Sequence, residues 1–266
     1  MQAEIQESKR SAPDQSTKGQ VFIEVRGLQK SIGAQHILRG VDITVFRGET
    51  LVIIGPSGEG KTVFMKHLIG LLKPDQGTIT VDGQSILGLR ERQFAPVRKK
   101  FGFLFQNAAL FDALTVEDNV AFPLVESGIR DHEEIVQRVH EALEVVDLEE
   151  HKKKLPVNLS GGMRKRAGIA RSVVARPQCI LYDEPTASLD PVVADVIDQM
   201  IIRLQKRYGI TSIVVTHDMK SVFKIADRVA MLKGGVIRFC GTPDELRHSP
   251  EQDIQDFIEG RSNVTG

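Results

Sequence analysis

The spacing of apolar residues along the chain predicts strands and helices in alternation. The segments with strand character are residues 22–25, 37–45, 51–54, 78–81, 101–105, 179–182, 212–215, 229–232 and 236–240. We expect the first two to pair as antiparallel neighbours, because both precede the third strand at short sequence separation. Strands that alternate with helices are typical of a largely parallel sheet covered on both faces, so the pattern predicts an α/β fold.

Apolar residues at helical spacing predict helices over residues 63–72, 116–125, 133–146, 163–175, 192–207 and 219–226. Thr115 with Asp118 is typical of a helix N-cap, and residues 242–245 and 249–252 each form a capping-box pattern with proline at the first helical position. Residues 115–175 contain no convincing strand. We therefore expect an all-helical insertion over about residues 107–177.

Composition excludes some classes of protein and leaves others open. The 266 residues carry 35 basic and 35 acidic side chains, so no net basic field favours nucleic acid as a partner. Two distant cysteines, Cys179 and Cys240, favour a reduced, cytosolic chain. No apolar run is long enough to span a bilayer, and residues 1–20 lack the hydrophobic segment of a secretion signal. We predict that residues 1–20 form a disordered arm.

A loop after the strand at residues 51–54 has the composition of a phosphate-binding loop. Its sequence is Gly55-Pro56-Ser57-Gly58-Glu59-Gly60-Lys61-Thr62. The glycines allow successive N–H groups to point inward at a helix N-terminus, where the helix dipole favours anions. Lys61 adds a positive charge for the β- and γ-phosphates, and the Thr62 hydroxyl can bind Mg²⁺. The loop predicts a nucleotide site, and a glycine-rich turn with a chance lysine is the alternative.

Two acids follow the strand at residues 179–182, and they are placed where ligands of open α/β sheets bind. We expect Asp183 to hold Mg²⁺ and Glu184 to polarise the water that attacks the γ-phosphate. In isolation, both acids could simply belong to a helix N-terminus.

Gln106 and His217 also follow predicted strands directly or within two residues. The Gln106 amide could reach the metal or the attacking water and report the nucleotide state to the helical insertion. The His217 imidazole could bind the γ-phosphate. Neither residue type indicates a function by itself, and both predictions depend on the position of the residue at the end of a strand.

A second anion-binding surface is predicted where Ser160, Gly161, Gly162 and Met163 begin a helix. One chain seldom brings two such loops onto one nucleotide from opposite sides. A head-to-tail dimer with two-fold symmetry would do so, with each nucleotide held between the two chains.

These motifs, in this order, resemble the full set of an ATP-binding-cassette (ABC) ATPase over about residues 21–246. The resemblance implies a P-loop NTPase fold: a RecA-like core with an antiparallel β subdomain and an inserted α-helical subdomain. It identifies residues 55–62 as the Walker A loop, Gln106 as the Q-loop, residues 159–163 as the signature, and residues 180–184 as Walker B. It also implies that Asp190 in the D-loop contributes to the ATP site, that His217 is the switch histidine, and that a homodimer hydrolyses MgATP to drive a membrane permease. Residues 247–266 would then form a C-terminal helix and tail.

The run from Leu104 to Val116, with residues 118–124, is similar to the ATPase subunits of MCE-type lipid transporters, the maintenance-of-lipid-asymmetry or toluene-tolerance family. Met163 in the signature fits the same group. This resemblance implies a peripheral protein at the cytoplasmic face of a bacterial inner membrane, partnered by a permease and an MCE-domain lipid-binding protein. An importer of amino acids or other small solutes is the alternative, and a non-transport ABC ATPase is a second one.

Three positions carry separate expectations. The aromatic residue that stacks on adenine in this family would fall near Ile32, and an aliphatic side chain there loses that stacking. We expect the Glu59 carboxylate to point away from the phosphates into solvent. The apolar residues from Phe111 to Leu114 would be exposed if they dock a permease, or buried if they only fill the core.

Overall fold

The computed structural model describes residues 19–261, so most of the predicted N-terminal arm and the last five residues lie outside the described part of the chain. Within it, ten strands form two sheets. The strands are β1 (Val21–Ile32), β2 (Gln35–Phe46), β3 (Thr50–Ile54), β4 (Gln76–Val81), β5 (Gln84–Ser85), β6 (Phe101–Leu104), β7 (Cys179–Asp183), β8 (Thr211–Val215), β9 (Arg228–Lys233) and β10 (Val236–Gly241).

The larger sheet has the strand order β10-β9-β3-β8-β7-β6. Strands β9, β3, β8, β7 and β6 pair in parallel, and β10 adds an antiparallel edge. The smaller sheet is antiparallel, with the order β2-β1-β4-β5. The predicted pairing of the first two strands and the hairpin between β9 and β10 are both confirmed.

Strand β3 shows why the larger sheet is buried on both faces. All five of its residues are buried, and alternate side chains point to opposite sides of the sheet. Val52 and Ile54 join the core beneath the helical insertion, whereas Leu51 and Ile53 join the core shared with the antiparallel sheet. The chain therefore folds around two apolar cores that the parallel sheet separates.

Nine α-helices lie within the described residues. They are α1 (Lys61–Leu68), α2 (Glu91–Arg98), α3 (Val116–Glu126), α4 (His132–Val145), α5 (Gly161–Val173), α6 (Pro191–Tyr208), α7 (Met219–Ile225), α8 (Pro243–Arg247) and α9 (Gln252–Ile258). Residues 107–177 contain α3, α4, α5 and two short 3₁₀ turns, and no strand is described between β6 and β7. Thr115 caps α3 as predicted, and the capping box at Thr242 is also present.

Two sequence predictions are wrong in detail, and two elements were missed. Helix α1 ends four residues early, because Gly70 turns left-handed (φ 69°) and the Leu71 N–H bonds back to the Lys66 carbonyl at 2.9 Å. Helix α2 and the short strand β5 were not predicted. Glu251 rather than Ser249 is the N-cap of α9, and Ser249 Oγ instead accepts a hydrogen bond from the Glu251 N–H at 3.3 Å.

Candidate nucleotide site

The predicted site residues follow the carboxyl ends of four adjacent parallel strands. The phosphate loop, residues 55–62, follows β3; His217 follows β8; Glu184 follows β7; and Gln106 follows β6. Because parallel strands end on one edge of a sheet, the topology gathers these segments along a single edge. The sequence placed each residue at a strand end, and the strand order makes them neighbours.

The phosphate loop curls tightly before α1. Gly55, Gly58 and Gly60 have φ values of 144°, 84° and 95°, which side chains with a Cβ rarely adopt. At Gly55 a Cβ would also lie 2.0 Å from the Leu232 carbonyl oxygen, so the backbones of the loop and β9 are in direct contact. Helix α1 begins without a side-chain cap. Its first N–H groups therefore remain available to an anion.

Lys61 lies buried in this loop and donates hydrogen bonds to the Gly55 and Pro56 carbonyls at 2.7 and 2.8 Å. Burial lowers the pKa of Lys61, and the nearby carboxylates of Glu184, Glu59 and Asp183 oppose that shift. The ammonium group is thus held by its own loop, in a region where carboxylates favour its charged form.

The expectation that Glu59 points into solvent is wrong. The side chain is half-buried, and its carboxylate accepts a hydrogen bond from the Gly234 N–H at 2.6 Å, in the turn between β9 and β10. This contact turns the charge toward the β9–β10 hairpin and ties the phosphate loop to it. The contact joins residues 175 positions apart, which sequence spacing alone does not indicate.

Thr62 and Asp183 meet across the site. The Thr62 hydroxyl lies 3.1 and 3.2 Å from the two carboxylate oxygens of Asp183. Burial raises the pKa of Asp183, while the Thr62 hydrogen bond opposes the rise. Hydroxyl and carboxylate oxygens are the ligands that Mg²⁺ prefers, so this pair fits the ion that the sequence predicts here.

Glu184 and His217 form a contact pair at the same edge. The Nδ1 atom of His217 lies 3.0 Å from Oε1 and 2.9 Å from Oε2 of Glu184. The Glu184 side chain is largely buried, at 15% exposure, whereas that of His217 is 70% exposed. The carboxylate therefore faces the protein interior on one side, and the imidazole lies on its solvent side.

Lys165 is a site residue that the sequence analysis missed. Its buried ammonium group donates to the Glu184 carbonyl at 2.8 Å and to the Gln106 carbonyl. Burial lowers the pKa of Lys165, and Glu184 and Asp183 oppose the shift. Lys165 belongs to α5, so the helix that begins at the signature is bonded to both strand ends. Its position one turn after Gly161 was the only available signal, and it does not by itself indicate burial.

The signature residues lie at the N-terminus of α5. Ser160 caps the helix by accepting from the Met163 N–H at 3.2 Å, and Ser160 and Gly161 are exposed. Gly162 is buried, and a Cβ there would lie 2.4 Å from Cγ1 of Val193 in α6. The cleft beside Gly161 is lined by residues 106–108, 161, 164–165 and 187–189, and no phosphate-loop residue lines it. Within one chain, the two anion-binding surfaces therefore do not share this cleft.

The structure also shows the surroundings of three further residues from the sequence predictions. Asp190 caps α6, because its carboxylate accepts from the Val192 and Val193 N–H groups at 3.1 and 3.0 Å. Ile32 ends β1 and is 52% exposed. Phe111 is 45% exposed and packs against Phe122 of α3 with ring centroids 4.8 Å apart and the ring planes tilted by 51°, so it is not a core residue.

Comparison with known proteins decides the family. The family model described as ABC transporter matches residues 38–187, which include the phosphate loop, Gln106, the signature and both Walker B acids. The chain belongs to the ABC transporter ATPase family. The P-loop NTPase fold and the ATPase activity predicted from sequence are thereby confirmed.

Relatives of this ABC ATPase carry several transport names. It is 41% identical over 94% of its length to 70% of a probable ribonucleotide transport ATP-binding protein, mkl, of Mycobacterium tuberculosis (strain CDC 1551 / Oshkosh). It is 39% identical over 93% of its length to 68% of the methionine import ATP-binding protein MetN of Rhizobium etli. It is 38% identical over 92% of both chains to the intermembrane phospholipid transport system ATP-binding protein MlaF of Haemophilus influenzae.

Solved structures of ABC cassettes match the same fold. A dimeric cassette in a post-hydrolysis state with ADP and Pi matches with a TM-score of 0.76 and 31% identity, covering 83% of this chain and 98% of that one. The protein cbiO1 of Clostridium perfringens, part of the ABC transporter complex cbiONQ, matches with a TM-score of 0.79 and 33% identity over 85% and 90% of the two chains. Among the helices described within residues 19–261, none has the length and hydrophobicity of a membrane-spanning segment.

Proposed function

We propose that this ABC ATPase energises phospholipid transport through an MCE-type complex, as a peripheral subunit at the cytoplasmic face of a bacterial inner membrane. The observation that carries the proposal is the segment after β6. There the lipid-transporter-like run of sequence coincides with an exposed apolar pair, Phe111 and Phe122. The phospholipid name of the Haemophilus influenzae relative agrees with this assignment.

Import of a small solute is the second candidate. The relatives named for ribonucleotide transport and methionine import are as similar in sequence as the phospholipid relative. The catalytic machinery is the same in either case, so only the partner proteins and the transported molecule separate the two.

For ATP binding, we propose that the triphosphate lies along residues 55–62, at the uncapped N-terminus of α1. Lys61 would exchange its two loop carbonyls for phosphate oxygens. Thr62 and Asp183 would hold Mg²⁺, with the Gln106 amide as a further oxygen ligand. When bound, the ion neutralises charge on the phosphate oxygens.

For hydrolysis, we propose that Glu184 accepts a proton from the attacking water. Its carboxylate is buried on one side and faces His217 on the other, so a water at this position would meet an oriented acceptor. His217 would hold the carboxylate and contact the γ-phosphate. Gln106 would contact the water or the ion and so transmit the state of the site to the helical insertion.

We further propose that two copies of the chain enclose each ATP. Ser160, Gly161, Gly162 and Met163 of one copy would face the phosphate loop of the other. The separate cleft at Gly161 and the dimeric state of the post-hydrolysis cassette support this arrangement. Asp190 would act by fixing residues 185–190 at the start of α6 rather than by touching ATP, because its carboxylate already caps that helix.

Purification of the complex from its native membrane tests the transport assignment. A tagged chain, extracted in mild detergent, is expected to retain an integral-membrane permease and an MCE-domain protein. Phospholipid would be found by mass spectrometry above the level that co-purifies with an unrelated membrane complex. Recovery of a soluble solute-binding protein, together with ATPase stimulation by methionine or ribonucleotide, would replace the lipid assignment with small-solute import.

A further inference from the structure

The side chain of His217 has few contacts that fix its position. Its side chain is mostly exposed, and Glu184 is its hydrogen-bonding partner. The orientation of the imidazole therefore depends on the short segment between β8 and α7. That segment is anchored first by the Asp218 N–H, which donates to Thr216 Oγ1 at 3.1 Å.

A buried bridge anchors the same segment to the neighbouring helix. The hydroxyl of Ser221, in α7, lies 2.9 Å from Oδ2 of Asp198 in α6 and 3.2 Å from Oδ2 of Asp218. Asp218 is also the N-cap of α7, accepting from the Lys220 N–H at 2.9 Å. Ser221 is 1% exposed and Asp198 is 4% exposed, so water reaches this bridge poorly.

The bridge is unusual for a helix–helix contact. A hydroxyl has one proton, so Ser221 can donate to only one of the two carboxylates at a time. The other oxygen of Asp198, Oδ1, is buried and has no hydrogen-bond partner among residues 19–261. An apolar pair would join the two helices without the cost of burying a carboxylate. The arrangement therefore indicates a requirement for a fixed position rather than for stability.

We propose that Ser221 and Asp198 are positioning residues for His217. They fix the first turn of α7 against α6 and thereby set the imidazole against the Glu184 carboxylate. The inference rests on the proposed role of His217 in hydrolysis. Helix α6 would then support both regions of the site. Asp190 caps this helix near the cleft beside Gly161, and Asp198 lies in its third turn.

Charged groups around the bridge come from both helices. Lys224 of α7 forms an ion pair with Asp195 of α6 at the surface, and Asp218 faces Asp198 through the shared hydroxyl. Asp195 thus offers a matched control, since Asp195→Asn removes a contact between the same two helices and leaves the buried bridge intact.

A double-mutant cycle on the purified, ATP-hydrolysing protein tests the inference. Ser221→Ala is expected to lower kcat about tenfold with KM for ATP within about twofold. Asp198→Asn keeps an acceptor oxygen for Ser221 and is expected to retain at least about half of kcat, as is Asp195→Asn. In a His217→Ala background, Ser221→Ala should lower kcat no further, because the residue through which it acts is absent.

The outcomes separate the two claims. A His217→Ala protein with wild-type kcat would remove the proposed role of His217 itself. A low kcat for His217→Ala, with a further tenfold loss on adding Ser221→Ala, would overturn the positioning inference alone. Thermal unfolding of each variant identifies any that fails to fold. For a folded Ser221→Ala protein, the His217 imidazole resonances in NMR spectra should shift from their wild-type positions. In the Asp195→Asn protein, the His217 resonances should stay at the wild-type positions.

Discussion

Glu184, the proposed base, has a strained backbone. Its φ of 49° lies in the left-handed region, which costs a non-glycine residue on the order of 1–2 kcal/mol. Hydrogen bonds hold it there: its N–H donates to the Val215 carbonyl at 2.9 Å, and its carbonyl accepts from the Lys165 ammonium at 2.8 Å and from the Ala187 N–H at 3.3 Å. Strain that the surroundings maintain is common where a side chain must be aimed.

Replacing Glu184 by glutamine should lower kcat by about 10²–10⁴, because an amide cannot accept a proton from water. ATP binding should persist, since the phosphate loop is untouched, and the ATP-bound form should accumulate as a dimer. Steady-state hydrolysis and gel filtration with ATP measure both effects. Glu91→Gln, which removes an exposed glutamate paired with Arg98, is the control. Full turnover by Glu184→Gln would refute the assignment of the base.

Asp198 makes stability depend on pH in a defined direction. Burial raises its pKa to about 6, well above the usual value for aspartate. The folded chain therefore holds a proton between about pH 4 and pH 6 that the unfolded chain has released. The contribution of Asp198 to the free energy of unfolding therefore falls as pH rises through that interval, and it stays at this lower value at neutral pH.

Asp198→Asn should accordingly be more stable than the parent above pH 6, by on the order of 2 kcal/mol, and similar to it near pH 4. Urea unfolding of both proteins at several pH values measures the difference. Asp195→Asn should not show this rise, because the Asp195 side chain is half-exposed and its hydrogen-bonded ion pair with Lys224 lowers its pKa instead. A stability difference for Asp198→Asn that is constant from pH 4 to pH 8 would contradict the prediction.

At the scale of elements, helix α5 connects distant parts of the site. It begins at the signature and carries Lys165, whose ammonium group is bonded to the carbonyls after β6 and β7. Rotation of the helical insertion would therefore strain the backbone at Gln106 and Glu184.

The sequence could reveal the capping serine and glycines of α5, because their roles are local. It could not reveal the Lys165 contacts, because these depend on how α5 packs against the sheet.

Lys165→Met should lower the free energy of unfolding by about 1–3 kcal/mol, because two partly buried carbonyls, those of Gln106 and Glu184, lose their charged donor. It should also reduce kcat while leaving ATP affinity nearly unchanged. Denaturant unfolding and nucleotide titration measure these quantities. Lys206→Met, at an exposed position in the last turn of α6, is the control. An unfolding midpoint equal to that of the parent would show that the two hydrogen bonds contribute nothing.

The segment between β6 and α3 presents Phe111 to solvent, although Asn119 fixes its backbone. The Phe111 N–H donates to Asn119 Oδ1 at 2.7 Å, and the two N–H groups of the Asn119 amide are shared among three nearby carbonyls, one of them that of Phe111. An apolar ring held in place at the surface by a buried polar anchor is typical of a docking surface.

Phe111→Asp should prevent association with the permease while ATP binding survives, because a charge would have to be desolvated in an apolar contact. Co-purification from co-expressed membranes and nucleotide binding by the isolated chain are the measurements. Val136→Asp, at an exposed apolar position on α4, is the matched control. Assembly of the Phe111→Asp complex at normal yield would exclude this surface as the docking site.

Across the whole molecule, the sequence predicted those features that depend on the local spacing and type of residues. The alternation of strands and helices, the phosphate loop and the two acids at the carboxyl end of β7 follow from spacing and composition, and the structure contains all three. The order of strands in the sheets does not follow from spacing. Nor does the Glu59 contact with Gly234, since these residues meet only because β9 lies beside β3. Helix α2 was missed because its helical pattern is short and contains Pro96.

The arrangement of two chains gives the last prediction. If the phosphate loop of one copy faces the signature of the other, then a cysteine at position 57 should lie near a cysteine at position 161 only between different chains. Both positions are exposed, and a Cβ at Gly161 would make only an ordinary contact, 3.6 Å from Leu189. In a Glu184→Gln, Cys240→Ser background, we therefore mix Ser57→Cys chains with Gly161→Cys chains and add ATP and a short bis-maleimide. Cross-linked dimers should form in the mixture and depend on ATP, whereas either variant alone should give few. Equal cross-linking by Gly161→Cys alone would place two signatures face to face and exclude the head-to-tail arrangement.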